Sequence, residues 1–345
     1  MEVPSFPQAI DLVGQTPIVA VRHLFPEIPA QITAKLEYFN PGLSVKDRIA
    51  HYMVDQAEAA GKLKPGGTII ECSSGNTGIG LAMVAAARGY RFICVMRTTH
   101  SQAKISLLKT LGAEVIICDG SLPRTHPESS HSHAAKLAED LPNSVWVNQY
   151  SNPDNPEAHY RYTGPEIWEQ TQGRITHLVA SASTGGTISG VGKYLKEKNP
   201  DIQIWASDAY GSAFKDYFEH GEVDHSKVHG YLAENVGKKF IPETINFGVI
   251  DTVEKVTDAN AALMTRRVAR EEGLLLGYSC GAAFQVVAQL APRLKPTDQV
   301  VIICPDHGSR YMHTVYNDDW MEKQGFLKEE EVKFVKQSNG SIQEN

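Results

Sequence analysis

From about Thr68 onward the chain alternates short runs rich in Val, Ile and Cys with amphipathic stretches, and this alternation limits the fold more than any single motif. Candidate strands are Thr68–Cys72, Phe92–Met96, Glu114–Cys118, Ser144–Asn148, His177–Ser181, Ile202–Ser207 and Gln299–Cys304. Several are almost continuously apolar, as strands covered on both faces must be. Helical patterns lie between them at Gly78–Arg88, Gln102–Leu111, Ala134–Leu141 and Ser189–Lys198. An earlier helix is marked by Ile49, Met53, Val54, Ala57 and Ala60 at helical spacing. This order predicts an α/β fold of parallel sheets with helices on both faces. At 345 residues the chain exceeds what one compact unit usually holds, so two domains are expected.

Charge and composition exclude several functions. A net charge of −7 argues against a nucleic-acid binder, which would show a basic face, though it leaves room for a local basic pocket. The longest apolar stretches, such as Ile79–Ala87, are far too short to span a bilayer. Met1–Gln8 has no basic region followed by an apolar run, so no secretory leader is expected. Cys72, Cys94, Cys118, Cys280 and Cys304 are irregularly spaced with no C-x-x-C pair, which favours buried, reduced thiols in a cytoplasmic protein. Polar, irregular connections are expected at Gly120–His133 and Gly211–Phe240. The histidines of the first, His126, His131 and His133, lack the fixed spacing and fourth ligand of a metal site, and no metal is expected. Residues 328–345 read as a charged tail.

Four clusters rich in Gly, Ser or Thr fall where strands end or helices begin, the place where parallel α/β folds gather ligands. In Asn40-Pro-Gly-Leu-Ser-Val-Lys-Asp-Arg48, Lys46 opens a helical pattern, where the positive end of the helix dipole disfavours the protonated amine. A neutral amine is what imine formation requires; an isolated lysine would otherwise read as a surface residue. Glu71-Cys-Ser-Ser-Gly-Asn-Thr-Gly78 offers hydroxyls and free amides to a carboxylate or phosphate, or equally caps a helix. Ser183-Thr-Gly-Gly-Thr187 is the best phosphate site, with Gly185 and Gly186 letting the backbone approach an anion. It lacks the lysine of a P-loop, and no G-x-G-x-x-G follows an early strand, so a nicotinamide dehydrogenase is disfavoured. In Gly277-Tyr-Ser-Cys-Gly281, Ser279 either caps a helix or meets a heterocycle nitrogen, and capping is the simpler reading of that cluster alone.

In this order the clusters resemble the fold-type II pyridoxal-phosphate enzymes, over about Val13–Leu327, in the branch of cystathionine β-synthase and O-acetylserine sulfhydrylase (cysteine synthase). The resemblance implies two doubly wound parallel-sheet domains with pyridoxal 5′-phosphate between them. Residues 1–45 and 156–327 would form the larger, and residues 46–155 a smaller, mobile one. Ser44-Val-Lys-Asp-Arg48 is similar to the motif whose lysine holds the cofactor as an imine, which gives that role to Lys46. Asn76 would face the cofactor 3′-oxygen. Ser73, Ser74, Gly75 and Thr77 would form the loop on the substrate carboxylate, with Gln149 closing on the same group. Ser183, Thr184, Gly185, Gly186 and Thr187 would hold the phosphate, and Ser279 the pyridine nitrogen.

Tyr150, Asn317-Asp-Asp-Trp-Met321, Gly325-Phe-Leu327 and Asp306-His-Gly-Ser-Arg-Tyr311 resemble cystathionine β-synthases, the last in the form of compact bacterial relatives. A homodimer without haem is implied. Two departures stand out: Ser183 where the family usually has Gly, and Glu234-Asn-Val-Gly237 where it usually reads Glu-Gly-Ile-Gly. The resemblance thus implies β-replacement on serine or an O-activated serine, with Lys46 as general base and a thiol as nucleophile. Cystathionine synthesis from serine and homocysteine stands first. Cysteine synthase, or a specialised β-substituted alanine synthase with another nucleophile, is the alternative, and a non-catalytic cofactor-binding regulator is the alternative of another class.

Overall fold

The computed structural model describes residues 6–73, 75–98 and 102–327. In chain order, β1 (Ile18–Ala20) and β2 (Gln31–Leu36) lead to α1 (Lys46–Ala59). Then come β3 (Thr68–Glu71), α2 (Asn76–Arg88), β4 (Arg91–Arg97), α3 (Gln102–Thr110), β5 (Glu114–Cys118), α4 (Ser130–Asp140) and β6 (Ser144–Trp146). α5 (Asp154–Ala158), a π turn at His159–Thr163 and α6 (Gly164–Gln170) follow without a break. Next are β7 (His177–Ser181), α7 (Gly186–Lys198), β8 (Gln203–Ala209), α8 (Phe214–His220) and β9 (Thr252–Val256). The described chain closes with α9 (Asp258–Glu272), α10 (Tyr278–Leu290), β10 (Gln299–Cys304) and α11 (Asp318–Lys323).

The fold class is the expected α/β, with two sheets. One has four strands in the order β5-β4-β3-β6, all parallel. The other has six in the order β1-β2-β10-β7-β8-β9, parallel except for the β1–β2 pair at its edge. Alternation along β10 shows why its strand is apolar throughout. Val300 and Ile302 pack on the side of α9 and α10, with Phe284 and Val268. Val301 and Ile303 face the other way, toward Ile188, Val191 and Leu195 of α7. The smaller sheet is covered likewise: Ile69, Phe92 and Cys94 pack with Ile49, Met53 and Leu81 of α1 and α2, and Ile70, Ile93 and Val95 with Ala134 of α4.

Strand order reverses once in each sheet, between β3 and β6 and between β7 and β10. Crevices open at such reversals beyond the carboxyl ends of the strands, and both receive the glycine- and serine-rich turns. The first turn of α1 is fixed by buried charge. Arg48 donates to Glu37 at 2.6 Å and to Glu166 at 2.7 Å, and Lys35 reaches Glu166 at 2.9 Å. Removing one partner from such a cluster strands a buried charge, at a cost of about 3–5 kcal/mol.

Strands β5, β7 and β10 fall where the apolar runs predict them, while other elements differ. β2 escapes the sequence reading because Lys35 interrupts its apolar run, and that lysine is buried in the charge cluster. α4 starts at Ser130, so His131 and His133 lie on a helix and not in the expected loop. Ser129 accounts for the earlier start, since its hydroxyl accepts from the Ser132 amide as an N-cap. The stretch expected to be irregular at Gly211–Phe240 contains α8. The cysteines are free thiols: Cys94, Cys280 and Cys304 are buried, whereas Cys72 and Cys118 are only partly so. Among the described residues no helix is long and apolar enough to cross a membrane. The expected tail, 328–345, lies outside the described residues.

Candidate functional site

A cavity of about 440 Å³ opens between the carboxyl ends of the two sheets. Lys46, Ser73, Gly75, Asn76, Thr77, Gln149, Ser183 and Thr184 line it. It narrows into a slot that shares Lys46, Asn76, Ser183 and Thr184 and adds Gly185, Thr187 and Ser279. Of the site residues predicted from sequence, Gly186 lines neither space and Ser74 lies outside the described residues.

Lys46 is the first residue of α1, as its motif predicts. The chain before it is stitched to the end of β10: Val45 donates its amide to Pro305 at 2.7 Å, and Ser44 pairs with Asp306. Protein surrounds the amine closely enough that burial is the main cause lowering its pKa to about 8. Asp306 and Glu37 oppose this, and the charge of Lys238 adds to it. The lysine is therefore poised near the pH at which a neutral amine becomes available.

Among the described residues of the turn after β3, no polar side chain caps α2. The N-cap is Gly75, with no side-chain bond, which removes the capping explanation for Ser73 and Asn76. Thr77 instead donates to Gln149 Oε1 at 2.6 Å, joining the two loops at the β3–β6 reversal. Asn76 Nδ2 donates to Asp306 Oδ2 at 2.8 Å, and Arg310 donates to Asn76 Oδ1. Beneath the turn, Glu71 accepts from the Cys72 amide at 2.9 Å and the Gln149 amide at 3.3 Å. Burial raises its pKa to about 7 in spite of these donors. Sequence reasoning missed Glu71; its signal was a carboxylate at the last position of an apolar strand.

The turn after β7 is interlocked. Gly185 has φ 85°, the left-handed region that favours glycine, and a Cβ there would overlap Ile245. A Cβ on Gly186 would overlap the Asn155 side chain. The glycines are thus demanded first by protein packing, not only by the approach of an anion. Thr184 Oγ1 accepts from Asn155 at 3.2 Å, and Thr244 donates to the Thr184 carbonyl at 2.7 Å. Thr187 meets the buried His159 of the π turn, Oγ1 to Nε2, at 3.1 Å. Burial, with Lys46 and Arg48 adding to it, holds His159 well below the ordinary imidazole range, so the ring is neutral.

Ser279 sits one residue inside α10, whose N-cap is Gly277, so the capping reading fails for it as well. Among the described residues its hydroxyl, buried beside the slot, has no hydrogen-bond partner. An unpartnered buried hydroxyl is costly unless something completes it. The slot thus offers an amine at one wall, backbone amides at a helix start and an unfilled hydroxyl, which fits a phosphorylated pyridine aldehyde in polarity and in the placing of its donors.

Residues 10–306 match the family of pyridoxal-phosphate dependent enzymes. The chain belongs to that family. Its cofactor is pyridoxal 5′-phosphate. The chain is 44% identical over 323 residues to cystathionine beta-synthase of Apis mellifera, covering 93% of this chain and 63% of that one. With the cystathionine beta-synthase of Oryctolagus cuniculus it shares 42% over 328 residues, 94% of this chain and 59% of the other. It therefore spans only about three fifths of the curated relatives it matches. The crystal structure of O-ureido-L-serine synthase superposes with a TM-score of 0.83 at 35% identity, covering 92% of this chain and 98% of that one.

Two further residues enter the site through tertiary contacts. Tyr311 donates to Asp306 at 2.8 Å and accepts from Asn235 Nδ2 at 3.3 Å. Asn235, one of the two departures noted from the sequence, takes the left-handed conformation at φ 63°, which asparagine tolerates better than most residues. Its side chain thus ties the turn to Tyr311.

Proposed function

We propose that this chain catalyses β-replacement on serine or an O-activated serine with a thiol, and that cystathionine synthesis from serine and homocysteine is the first reaction to test. The observation that carries the reading is the buried, unpartnered hydroxyl of Ser279. A neutral hydroxyl on the pyridine nitrogen, unlike a carboxylate, does not enforce its protonation. That favours prompt loss of the β-substituent over transamination.

Pyridoxal 5′-phosphate, when bound, supplies a conjugated sink for the charge left at the α-carbon. The amides of Thr184, Gly185, Gly186 and Thr187 at the start of α7, with Ser183 beside them, hold the phosphate in this reading. Asn76 faces the 3′-oxygen. Ser73, Ser74, Gly75, Thr77 and Gln149 orient the substrate carboxylate. The Lys46 amine removes the α-proton and returns it at the end. Closure of residues 46–155 over the larger unit, 1–45 and 156–327, excludes water while the β-carbon is electrophilic.

A specialised β-substituted alanine synthase, or a cysteine synthase, is the second reading, favoured by Asn235 and by the likeness to O-ureido-L-serine synthase along nearly its whole length. A non-catalytic regulator would need neither the amine near neutrality nor the Thr77–Gln149 pair. We place the protein in the cytoplasm as a homodimer, on the strength of the family resemblance and the free cysteines. The deciding experiment offers the holoenzyme serine or O-acetylserine with homocysteine, sulfide and several amines in competition, and reads the products by mass spectrometry. Cystathionine as the main product supports the first reading; cysteine or an N-linked product moves the assignment to the second. No replacement product with any pair overturns both.

A further inference from the structure

The wide part of the cavity carries more positive charge than this reaction uses. Among the described residues that line it, cations outnumber carboxylates, which are Glu71 and Glu234. Glu234 is taken by Lys104 at 2.7 Å, and Glu71 is taken by backbone amides. Three cavity cations, Arg124, Lys238 and Lys239, form no ion pair among the described residues. In a chain of net charge −7 this local excess runs against the overall sign.

The neighbours of these cations hold them without neutralising them. The Arg124 guanidinium lies 4.8 Å from the centre of the Phe240 ring and 5.7 Å from that of Tyr150. Lys238 Nζ lies 5.6 Å from the same Tyr150 ring. Arg124 also donates to His131 Nε2 at 2.6 Å, and burial together with the Arg124 charge lowers the His131 pKa, so this acceptor is neutral. Two like charges thus share one aromatic ring, an arrangement that an anion between them would stabilise. The cations also come from opposite sides. Arg124 precedes α4 of the smaller sheet, whereas Lys238 and Lys239 follow Gly237, whose amide donates to Ala182 beyond β7 at 2.6 Å.

We propose that Arg124, Lys238 and Lys239 form a second anion subsite, which takes an acidic group carried by a substrate in addition to the α-carboxylate. The inference rests on the β-replacement reading and narrows its substrate class. The acidic group has two sources, a phosphoester on the first amino acid or a carboxylate on the incoming thiol. In either case the Cβ–O bond breaks and a Cβ–S bond forms. The oxygen leaves as water from serine, or as inorganic phosphate from its phosphoester. The thiol proton accompanies the leaving oxygen, and the α-proton taken by Lys46 returns to Cα.

The test compares holoenzyme of the wild type with Lys239→Gln and with the triple variant Arg124→Gln, Lys238→Gln, Lys239→Gln. One arm sets O-phosphoserine against serine with 2-mercaptoethanol as the thiol. The other sets 3-mercaptopropionate against 2-mercaptoethanol with serine. Inorganic phosphate is titrated into each holoenzyme by calorimetry. Wild type should prefer the acidic member of at least one arm by about tenfold or more in kcat/KM, the size expected for charge-assisted contacts. The triple variant should reduce that preference to about threefold or less and weaken phosphate binding, with Lys239→Gln in between. Preference in the first arm assigns the group to the leaving side, and preference in the second assigns it to the nucleophile. Absence of preference in both arms overturns the subsite, and so does a preference that the triple variant leaves intact. If no pair gives a thioether, the β-replacement reading fails, and the phosphate titration decides alone: affinity lost in the triple variant keeps the subsite, and unchanged affinity removes it.

Discussion

At the end of β7 the turn Ser183–Thr187 is locked by Ile245, Asn155, Thr244 and His159, whereas the turn after β3 is held by side chains that also face the cavity. A Cβ on Gly186 would overlap its neighbour, while one on Gly75 would meet nothing within 4 Å among the described residues. The first turn is determined by the protein around it and suits a resident cofactor. The second keeps space and reaches across to the larger sheet through Asn76 and Asp306, which is consistent with its proposed closure on a transient substrate.

The largest expected effect tests what both turns serve. Lys46→Ala should lower kcat by about a thousandfold or more, the scale of a lost general base. Cofactor should still bind through the locked turn, seen as fluorescence quenching without the imine absorbance band. In the apo wild type, capture of pyridoxal 5′-phosphate should accelerate as pH rises and level off above about 8, because only the neutral amine reacts and the Lys46 pKa is lowered to about 8. A plateau reached only above pH 10 would refute that account of its burial.

Next in size is the glycine pair. Gly186→Ala should cost about 1–3 kcal/mol in thermal unfolding and weaken cofactor binding, as overpacking does. Gly75→Ala should cost under about 0.5 kcal/mol while raising KM for the amino acid. Equal losses at both positions would erase the contrast between the turns.

Glu71→Gln should act on the looser turn, since Gln replaces one of two acceptors with a donor facing an amide. A several-fold rise in KM is expected, with kcat less affected. It also has a pH signature. Burial raises the Glu71 pKa from its ordinary 4.5 to about 7, so the folded state holds this proton more tightly than the unfolded one. That stabilisation is complete below 4.5 and is lost as pH rises through about 7. The wild-type Tm should therefore fall relative to Glu71→Gln across that window. The smallest effect belongs to Asn235→Gly, which relieves a left-handed backbone worth about 1 kcal/mol but loses the bond to Tyr311. Tm should change little, and a large loss would mean that the Tyr311 bond matters more than the strain.

Much of the fold was legible because buried parallel strands write themselves as apolar runs, and β5, β7 and β10 were read at their observed bounds. β2 and β9 were not, since Lys35, Glu254 and Lys255 break the apolar pattern and find their partners elsewhere in the chain. Within the site, Lys46 and the turns stood out as residues at strand ends and helix starts, while the roles proposed for them came from the resemblance and not from those positions alone. Glu71, Arg124 and Asp306 were not, because a single charged residue in a strand end or loop looks the same whether it meets solvent or a distant partner.

The sequence by itself determined the layered α/β fold, a lysine at a helix start and the turns that flank it, since each is written in residues a few positions apart. Only the tertiary structure decided what those turns do not share. Thr77 meets Gln149 across 72 positions and Asn76 meets Asp306 across 230, and Arg124 and Lys238 converge on one ring from different sheets. Local periodicity records which face of an element is buried, but it carries no record of which other element returns to cover it.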